Sequence, residues 1–439
     1  MSDFRGNSLA VWYLENPRYP RLVGRVKLEA SNRRCLLELD DGWMRSGFPL
    51  SPDLTHDRKV HAPLKDMLAP GAVDDAMPDR WGERMIRVVS RPSRMSPLDK
   101  LWYAGDRRFG SLGMSSSFDD YRPVEEQPLM SVDSLPEAGA LIARVIERDP
   151  LNERERQLIA SAGSMGGAHP KMLIEADGEE WIAKFPRGSN VDQLLVEHAC
   201  MELGRRAGLA VASSRVLPGG IDHILMVRRF DRAGAERIHA VSARTMLAAE
   251  GDDSYATIAA VIRRHAAPDR IRSMQHELFR RMAFNIMIDN TDDHSKNHAF
   301  LRAKDGSWEL SPAFDIPTQM NGLGQQALQI SSNARLLNDF SIDHAVSAAA
   351  HFGMSKDDAR QEWNRIAGWV GRWRDVFSEC GVSGNDIDYL GDFLDSPPML
   401  NHRREAIEPC DVDPQQAKLT THEAVHLAIN QARNNSVKR

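Results

Sequence analysis

Two carboxylates and one amide along residues 289–315 could bind a metal ion and activate a hydroxyl group. The segment DNTDDHSKN (residues 289–297) directly follows an apolar helical stretch. Within it, Asp292 and Asn297 have the D-x4-N spacing at which a carboxylate accepts a hydroxyl proton and an amide oxygen binds Mg²⁺. A predicted β-hairpin then leads to Asp315, a second carboxylate for the metal. Such residues also crowd into ordinary turns, so it is the order of helix, loop, hairpin and acid that predicts phosphoryl transfer.

Upstream, the segment SAGSMGGAHPK (residues 161–171) could surround phosphate groups, because no bulky side chains cover its backbone N–H groups. It is neither a Walker A motif nor a GxGxxG motif, and such segments are often only linkers. The next strand carries Lys184 and the next helix Glu197, although a strand lysine is often only a surface residue. In kinases a strand lysine, oriented by a helix glutamate, contacts the α- and β-phosphates. The series of loop, Lys, Glu, D-x4-N and Asp predicts a nucleotide site.

Hydrophobic periodicity and turn residues predict the elements that must position these side chains. Asp177-Gly178 is a strong hairpin signal, and a helix over 191–207 has Ser189 or Asn190 as its predicted N-cap. The remaining predictions are a small antiparallel sheet over 8–37, a helical stretch over 72–89, the hairpin strands 172–176 and 180–185, a helix over 276–288, a second hairpin of 298–302 and 308–311, and mostly helix from 315 to 394.

Composition places the chain among ordinary globular proteins. It has 439 residues and a net charge of −6, and its four cysteines are scattered without CxxC spacing, which argues against a zinc site and a disulfide framework. The pattern shows neither a signal peptide nor an apolar run that could cross a membrane, so we expect a cytoplasmic protein. The basic segments 228–232 and 263–265 are predicted to be solvated, and His294 and His298 to be structural rather than zinc ligands.

Five short segments resemble the HipA family of bacterial serine/threonine kinases, which are toxins of toxin–antitoxin pairs. The resemblance covers roughly residues 8–395. It rests on SMGGAHPK (164–171), IAKFP (182–186), VRRFDR (227–232), TDDHSKN (291–297) and PAFD (312–315). The first segment departs from the Ala-Gly-Ala-Gln-Glu-Lys of better-known members, and its Pro170 removes one N–H donor.

The resemblance implies an α/β (α+β) fold of the two-lobed protein-kinase-like, phosphatidylinositol-kinase-like type, with ATP and Mg²⁺ as cofactors. It implies that Asp292 is the catalytic base, that Asn297 and Asp315 bind the metal, and that Lys184 binds phosphate. Nucleotide contacts are also expected from Ser164, Gly166, Gly167, Ala168, Lys171 and Glu197. Family members phosphorylate themselves at the serine that corresponds to Ser164, and a phosphate there adds nearly two negative charges where those of ATP must lie.

The resemblance also implies partners and a domain division. The expected substrate is an aminoacyl-tRNA synthetase, and the expected partner is a small helix-turn-helix antitoxin, through which alone the chain would reach DNA. Predicted domains are 1–122 (β-rich), 123–245 (N-lobe), 246–395 (helical C-lobe) and 396–439, a polar tail with a poorly ordered terminus. Two alternatives stay open: a small-molecule phosphotransferase, disfavoured because Asn290 replaces the usual histidine, and a catalytically weak nucleotide-binding scaffold.

Overall fold

A five-stranded antiparallel sheet opens the fold, in the order β4-β3-β2-β1-β5. The computed structural model describes residues 4–403 except 5, 32, 125–127, 165, 249, 334 and 337. The strands are β1 (Ser8–Tyr13), β2 (Arg21–Leu28), β3 (Cys35–Leu39), β4 (Val60–His61) and β5 (Leu112–Ser115). Alternating buried positions along β3 place one face of the sheet in the core. The small sheet predicted over 8–37 is therefore confirmed.

Four helices lie within this N-terminal region, and two of them correct a prediction. The helices are α1 (Asp41–Ser46), α2 (Gly71–Asp75), α3 (Arg80–Val89) and α4 (Pro97–Tyr103). The single helical stretch predicted over 72–89 is wrong, because the chain leaves the helix between α2 and α3. Pro78 lies in this break; it lacks an N–H group and disfavours helical geometry in the residue before it.

A second sheet, in the order β6-β7-β8-β10-β9, carries the small-residue segment at one end. Its strands are β6 (Met130–Ser131), β7 (Lys171–Ala176), β8 (Glu179–Lys184), β9 (Ser214–Pro218) and β10 (His223–Arg228), and its helices are α5 (Leu135–Glu147), α6 (Glu153–Leu158) and α7 (Gln193–Arg206). The predicted β7–β8 hairpin is confirmed, with φ of 55° at Asp177 and 73° at Gly178. The predicted N-cap of α7 is wrong: Asp192 caps it, accepting a hydrogen bond of 3.1 Å from the Leu195 N–H.

Helices dominate the rest of the described chain. The strands are β11 (Arg232–Ala233), β12 (Glu236–Arg237), β13 (Ala240–Ser242), β14 (Ala299–Arg302) and β15 (Trp308–Leu310), and the helices are α8 (Ala243–Leu247), α9 (Tyr255–His265), α10 (Ile271–Met287), α11 (Ile342–Ser347), α12 (Lys356–Val370), α13 (Trp373–Glu379), α14 (Gly384–Leu394) and α15 (Pro397–Arg403). Short 3-10 helices occur at Val132–Ser134, Ala160–Ser164, Ser295–Asn297 and Ala349–Phe352. The predicted helix 276–288 and the second hairpin are confirmed.

The prediction of mostly helix from 315 to 394 is wrong over its first part. Residues 316–341 contain no α-helix among their described members. Met320, Gly322 and Leu323 have positive φ there, a backbone conformation that an α-helix does not contain. Of the predicted tail 396–439, Pro397–Arg403 form a helix and residues 404–439 lie outside the described residues.

One continuous apolar core joins the first sheet to the C-terminal helices, since it contains residues from Phe4 to Met399. A second core packs Trp81 and Met85 of α3 against α5 and the second sheet. Helix α3 therefore connects the N-terminal region to the sheet that carries the small-residue segment. Of the described residues, no helix has the length and apolarity that a membrane crossing requires.

Within the basic segment 228–232, Arg229 and Arg232 have buried side chains, which corrects the prediction of a solvated segment, whereas the Arg228 side chain is 40% exposed. Arg229 is 5% exposed and its guanidinium group lies 2.7 Å from the Asp231 carboxylate. Asp231 also accepts hydrogen bonds from the Gly110 N–H at 2.8 Å and from Arg232 at 3.0 Å. Burial alone would raise the pKa of Asp231, but the two arginines outweigh it and hold that pKa well below its usual range.

Candidate active site

The small-residue segment folds over the start of β7 and is fastened there by backbone contacts. Gly167 has φ of 88°, and a Cβ atom at this position would lie 2.6 Å from the Lys171 ammonium nitrogen. Only glycine accommodates both the conformation and the lysine. Trp81 of α3 donates from its indole N–H to the Lys171 carbonyl at 2.7 Å and from its backbone N–H to the Gly167 carbonyl at 3.0 Å. The N-terminal region thus sets the position of the segment.

His169 secures the other side of the segment. Its Nε2 lies 2.8 Å from the Phe185 carbonyl oxygen, just after β8. Burial, followed by the positive charges of Lys184 and Arg187, lowers the pKa of His169 to about 3. The ring is therefore neutral near pH 7 and donates this hydrogen bond. Ser164 lies half-buried at the end of its 3-10 helix, and the Ala168 carbonyl accepts a hydrogen bond from Arg187.

Lys184 lies between two carboxylates that come from distant parts of the chain. Its ammonium group is 2.6 Å from Glu197 Oε1 on α7 and forms a second ion pair with Asp315. Burial would lower the pKa of Lys184, but Asp315 and then Glu197 outweigh it and raise that pKa. Burial would likewise raise the pKa of Asp315, which the lysine instead lowers. The group is thus a lysine cation paired with an ionised Asp315.

Asp315 adopts an unusual backbone conformation at the end of the second hairpin. Its φ is 57°, a left-handed value that costs a non-glycine residue on the order of 1 kcal/mol. The preceding Ala313 is held by hydrogen bonds with the backbone of residues 210 and 212, at 2.7 and 2.9 Å. Phe314 packs against Phe230 with ring centroids 5.2 Å apart. These neighbours fix the strained residue so that its carboxylate meets Lys184.

Lys171 adds a second cation to this group. It is half-buried at the start of β7. Burial and then the charge of Lys184 lower its pKa, while Asp315 and Glu197 act in the opposite direction. Two lysines, a glutamate and an aspartate therefore share one electrostatic environment. A phosphate-bearing ligand would meet two converging ammonium groups there.

The loop after α10 exposes one carboxylate and buries its neighbours. Asp292 is exposed, and in the described part of the chain its carboxylate has no hydrogen-bond or ion-pair partner. Asn297 is 8% exposed, and its amide donates to the Asp292 backbone carbonyl at 3.3 Å. The next acid, Asp293, is buried and accepts hydrogen bonds from the Tyr255 hydroxyl and from His298 at 3.1 Å. Asp292 is therefore the carboxylate that a substrate could reach.

His298 is 2% exposed and its Nε2 is bonded to Asp293. His294 is exposed. Across the described residues, no group of three or more His, Cys, Asp and Glu side chains is arranged to hold a metal ion. A metal site formed by Asn297 and one aspartate contains only one of these side chains, so this finding does not bear on it.

Two acids that the sequence reasoning missed support the loops. Asp289, with φ of 60°, precedes the D-x4-N segment and accepts backbone N–H bonds of 2.6, 2.8 and 2.9 Å from Asn321, Gly322 and Leu323. It ties the loop to residues 316–341. Its place at the first position of DNTDDHSKN, directly after the helix, is the signal that could have found it.

The second missed acid is Asp79, which immediately precedes α3. Its carboxylate lies 3.1 Å from the Lys296 ammonium group and accepts a hydrogen bond from the Gly167 N–H. A Cβ atom on Gly166 would come within 3.2 Å of the same carboxylate. Burial would raise the pKa of Asp79, but Lys296 and the Gly167 N–H outweigh it and lower that pKa. Only its position before a helix marks Asp79 in the sequence.

Most of the predicted site residues thus fall into two groups in the structure. Lys184, Glu197 and Asp315 contact one another directly, and Lys171 shares their field. Gly166 and Gly167 are joined through Asp79 to Lys296, the neighbour of Asn297. Asp292 is linked to Asn297 through its backbone only. The roles assigned to these residues stay predictions.

Two family models and several known proteins are similar to this chain. Residues 14–115 match the family model of the HipA N-terminal domain, and residues 163–373 match that of the HipA-like C-terminal domain. "Putative kinase Y4mE" of Sinorhizobium fredii is 27% identical over 231 residues, which cover 45% of this chain and 52%, about half, of that protein. "Putative kinase Y4dM" of the same organism is 25% identical over 301 residues, covering 64% of this chain and 70% of the relative.

A solved structure shares the fold. The chain is similar to HipA in the complex of Shewanella oneidensis HipA, HipB and operator DNA, with a TM-score of 0.64 and 16% identity, covering 90% of this chain and 96% of that one. The mixed α/β fold, with a β-rich N-terminal region and a helical C-terminal part, is therefore confirmed.

Proposed function

The chain belongs to the HipA family, and we propose that it is a Mg-ATP-dependent serine/threonine protein kinase. One observation carries this proposal: Lys184 is held between Glu197 and Asp315, while the loop after α10 exposes the carboxylate of Asp292. We also propose the domain division 1–122, 123–245, 246–395 and 396–439, in which the nucleotide would bind between the second and third parts.

The residues present fit both proposed cofactors. Asp315 and Asn297 offer the hard oxygen ligands that Mg²⁺ prefers. Lys184 and Lys171 offer two cations to phosphate, and Gly167 keeps the segment free of a bulky side chain, although its own N–H is bonded to Asp79. Mg-ATP would supply the transferred phosphoryl group and the metal charge that neutralises it.

Each residue has a defined task in this proposal. The Asp292 carboxylate accepts the proton of a serine or threonine hydroxyl group, and Asn297 fixes the loop by its bond to the Asp292 carbonyl. Glu197 orients the ammonium group of Lys184. Backbone groups of Ser164, Gly166, Gly167 and Ala168, together with Lys171, enclose the phosphates. Catalysis then depends mostly on positioning and on charge neutralisation.

The biological role follows from the family as a further proposal: this kinase acts as a toxin. A translation component such as an aminoacyl-tRNA synthetase would be its substrate, and phosphorylation of Ser164 would switch it off. The similar Shewanella protein is found with HipB and operator DNA, which supports a small DNA-binding antitoxin as partner. A net charge of −6 fits a chain that reaches DNA only through such a partner.

The test is transfer from γ-labelled ATP in the presence of Mg²⁺, with and without cell lysate, followed by mass spectrometry of the labelled proteins. Asp292→Ala should lower the rate roughly 10²- to 10⁴-fold, the usual contribution of a general base. Asp357→Ala, a change at an exposed acid, serves as the matched control. Normal turnover in Asp292→Ala would remove Asp292 from its proposed role. ATP binding without any label would indicate the nucleotide-binding scaffold instead.

A further inference from the structure

A cavity of about 520 Å³ lies between α3 and the segment that joins α5 to α6, outside the site described above. Its lining is strongly basic: five arginines face one acid. The arginines are Arg84, Arg87, Arg91, Arg148 and Arg156, and the acid is Asp149. Five like charges around one concave surface repel one another, so their arrangement needs a physical explanation.

Two of the five arginines are fixed in place by carbonyl groups. Arg84 donates to the Ile146 carbonyl at 3.0 Å, and Arg156 donates to the Leu151 carbonyl at 2.7 Å. Carbonyl oxygens are neutral, so these bonds orient the guanidinium groups without cancelling their charge. Arg156 also pairs with Glu153, whose side chain is 70% exposed, which offsets part of its charge.

The other three arginines, Arg87, Arg91 and Arg148, are exposed, and their side chains make no hydrogen bond or ion pair with the described residues. Arg91 and Arg148 have φ of 50° and 66°. Glycine is the usual residue in this conformation at a helix end. Helix dipoles favour a cation at the end of α3 and at that of α5, but this does not explain why both ends converge on one cavity.

Positive charge is also in excess just outside the residues that line the cavity. Burial, and after it the charge of Arg84, lowers the pKa of the nearby Arg187. Asp149 in the lining and Glu153, which pairs with Arg156, are two acids against five arginines, so the cavity keeps a surplus of positive charge. A bound anion would relieve that repulsion, and the arginine fork matches phosphate or carboxylate oxygens in pairs.

We propose that this cavity binds a small organic molecule carrying two or more phosphate groups. The phosphates would pair with Arg87, Arg91 and Arg148, and the organic part would pack against Val88 and Leu151. The volume lies in the range of small-molecule sites. A nucleic acid would need an extended basic face, and the chain as a whole is acidic. This binding does not depend on the proposed kinase activity, although α3 begins beside Asp79 and so borders both sites.

The probe is inorganic tripolyphosphate, titrated calorimetrically into the full chain at low salt. Arg87→Ser/Arg148→Ser removes two unpaired side chains and should weaken this binding roughly a hundredfold, since each charged contact contributes about 1.5 kcal/mol or more. Arg263→Ser/Arg272→Ser makes the same change in net charge at exposed arginines elsewhere and should change the affinity less than about twofold. If the nucleotide site also binds tripolyphosphate, the unmodified chain should show two binding sites. The variant Arg87→Ser/Arg148→Ser should then retain only the nucleotide site.

Two results would overturn the proposal: absence of binding to the unmodified chain, or equal weakening in both double variants. Citrate, with three carboxylates, is the second ligand to titrate. Affinity for citrate equal to that for tripolyphosphate would overturn the assignment to phosphate.

Discussion

Asp79 and Lys296 are 217 residues apart in the chain, yet the carboxylate and ammonium groups lie 3.1 Å apart. The same carboxylate accepts the Gly167 N–H. One acid of the N-terminal region therefore joins the small-residue segment to the loop of Asp292 and Asn297. Since the bonds of Asp79 hold both loops, the spacing between the proposed phosphate and metal sites depends on it.

Asp79→Asn should lower kcat/KM for ATP roughly tenfold, because a misplaced loop loses part of the positioning contribution. Lys296→Met should have a similar effect, and the double variant should be little worse than either single variant, as coupled partners behave. Steady-state kinetics of all four proteins measure this, with thermal unfolding as the check on folding. Independent, additive losses would show that the pair does not act as a unit.

Lys184→Met should abolish transfer and also destabilise the fold near pH 7. The change leaves Glu197 and Asp315 together without their cation, at a cost of about 3 kcal/mol, the lower end for a broken buried pair because the Asp315 side chain is 37% exposed. Without the lysine both carboxyl pKa values rise in the folded state, so the deficit shrinks as pH falls toward 5. Urea unfolding at pH 7 and pH 5, beside the unmodified chain, measures it. A loss of unfolding free energy that is larger at pH 5 than at pH 7 would contradict this account.

Asp231→Asn should lower the free energy of unfolding by about 3–5 kcal/mol, because it leaves Arg229 and Arg232 with one less buried anion. The pKa of Asp231 is depressed in the folded state, so its contribution is present above its usual pKa and is lost as pH falls below it. Asp120→Asn, which breaks an exposed pair with Arg122, is the control and should leave the free energy of unfolding nearly unchanged. Equal costs in urea unfolding would refute a special role for the buried network.

His239 should make the fold less stable in mild acid. Burial lowers its pKa to about 4, while its Nε2 lies 2.7 Å from the Leu50 carbonyl. The unfolded chain binds a proton near pH 6.5 and the folded chain does not, so stability is full above pH 6.5 and falls toward pH 4, by about 3 kcal/mol in all. His239→Gln should remove that part of the pH dependence, measured by urea unfolding at pH 7 and 4.5. His351→Gln, at an exposed histidine, should retain it.

The sequence predicted those parts of the site whose signals are local. The Asp177-Gly178 turn and the order of Lys184, Glu197 and Asp315 lie in short motifs, and the structure brings these three side chains together. Asp79 could not be found in this way, because its partners come from two segments distant in the chain. Residues 316–341 were also misjudged, since their backbone is held by long-range bonds to Asp289 and not by local propensity.

The basic segment around Arg229 was misread for a related reason. Charged residues are mostly exposed; beside the nearby Asp231, burial of this arginine also needs partners from residues 107 and 108, whose carbonyl groups accept its hydrogen bonds. Those partners are more than a hundred residues away, so a local pattern carries no sign of them.

The shared core from Phe4 to Met399 has a consequence for synthesis on the ribosome. Residues made first and last in the described chain share this core, so it cannot be complete until residue 399 has emerged, and the bond between Asp79 and Lys296 cannot form before its second partner is made. A growing chain therefore carries an unfinished core, and it lacks the Asp79 link between the small-residue segment and the loop of Asp292 and Asn297 until Lys296 has been made.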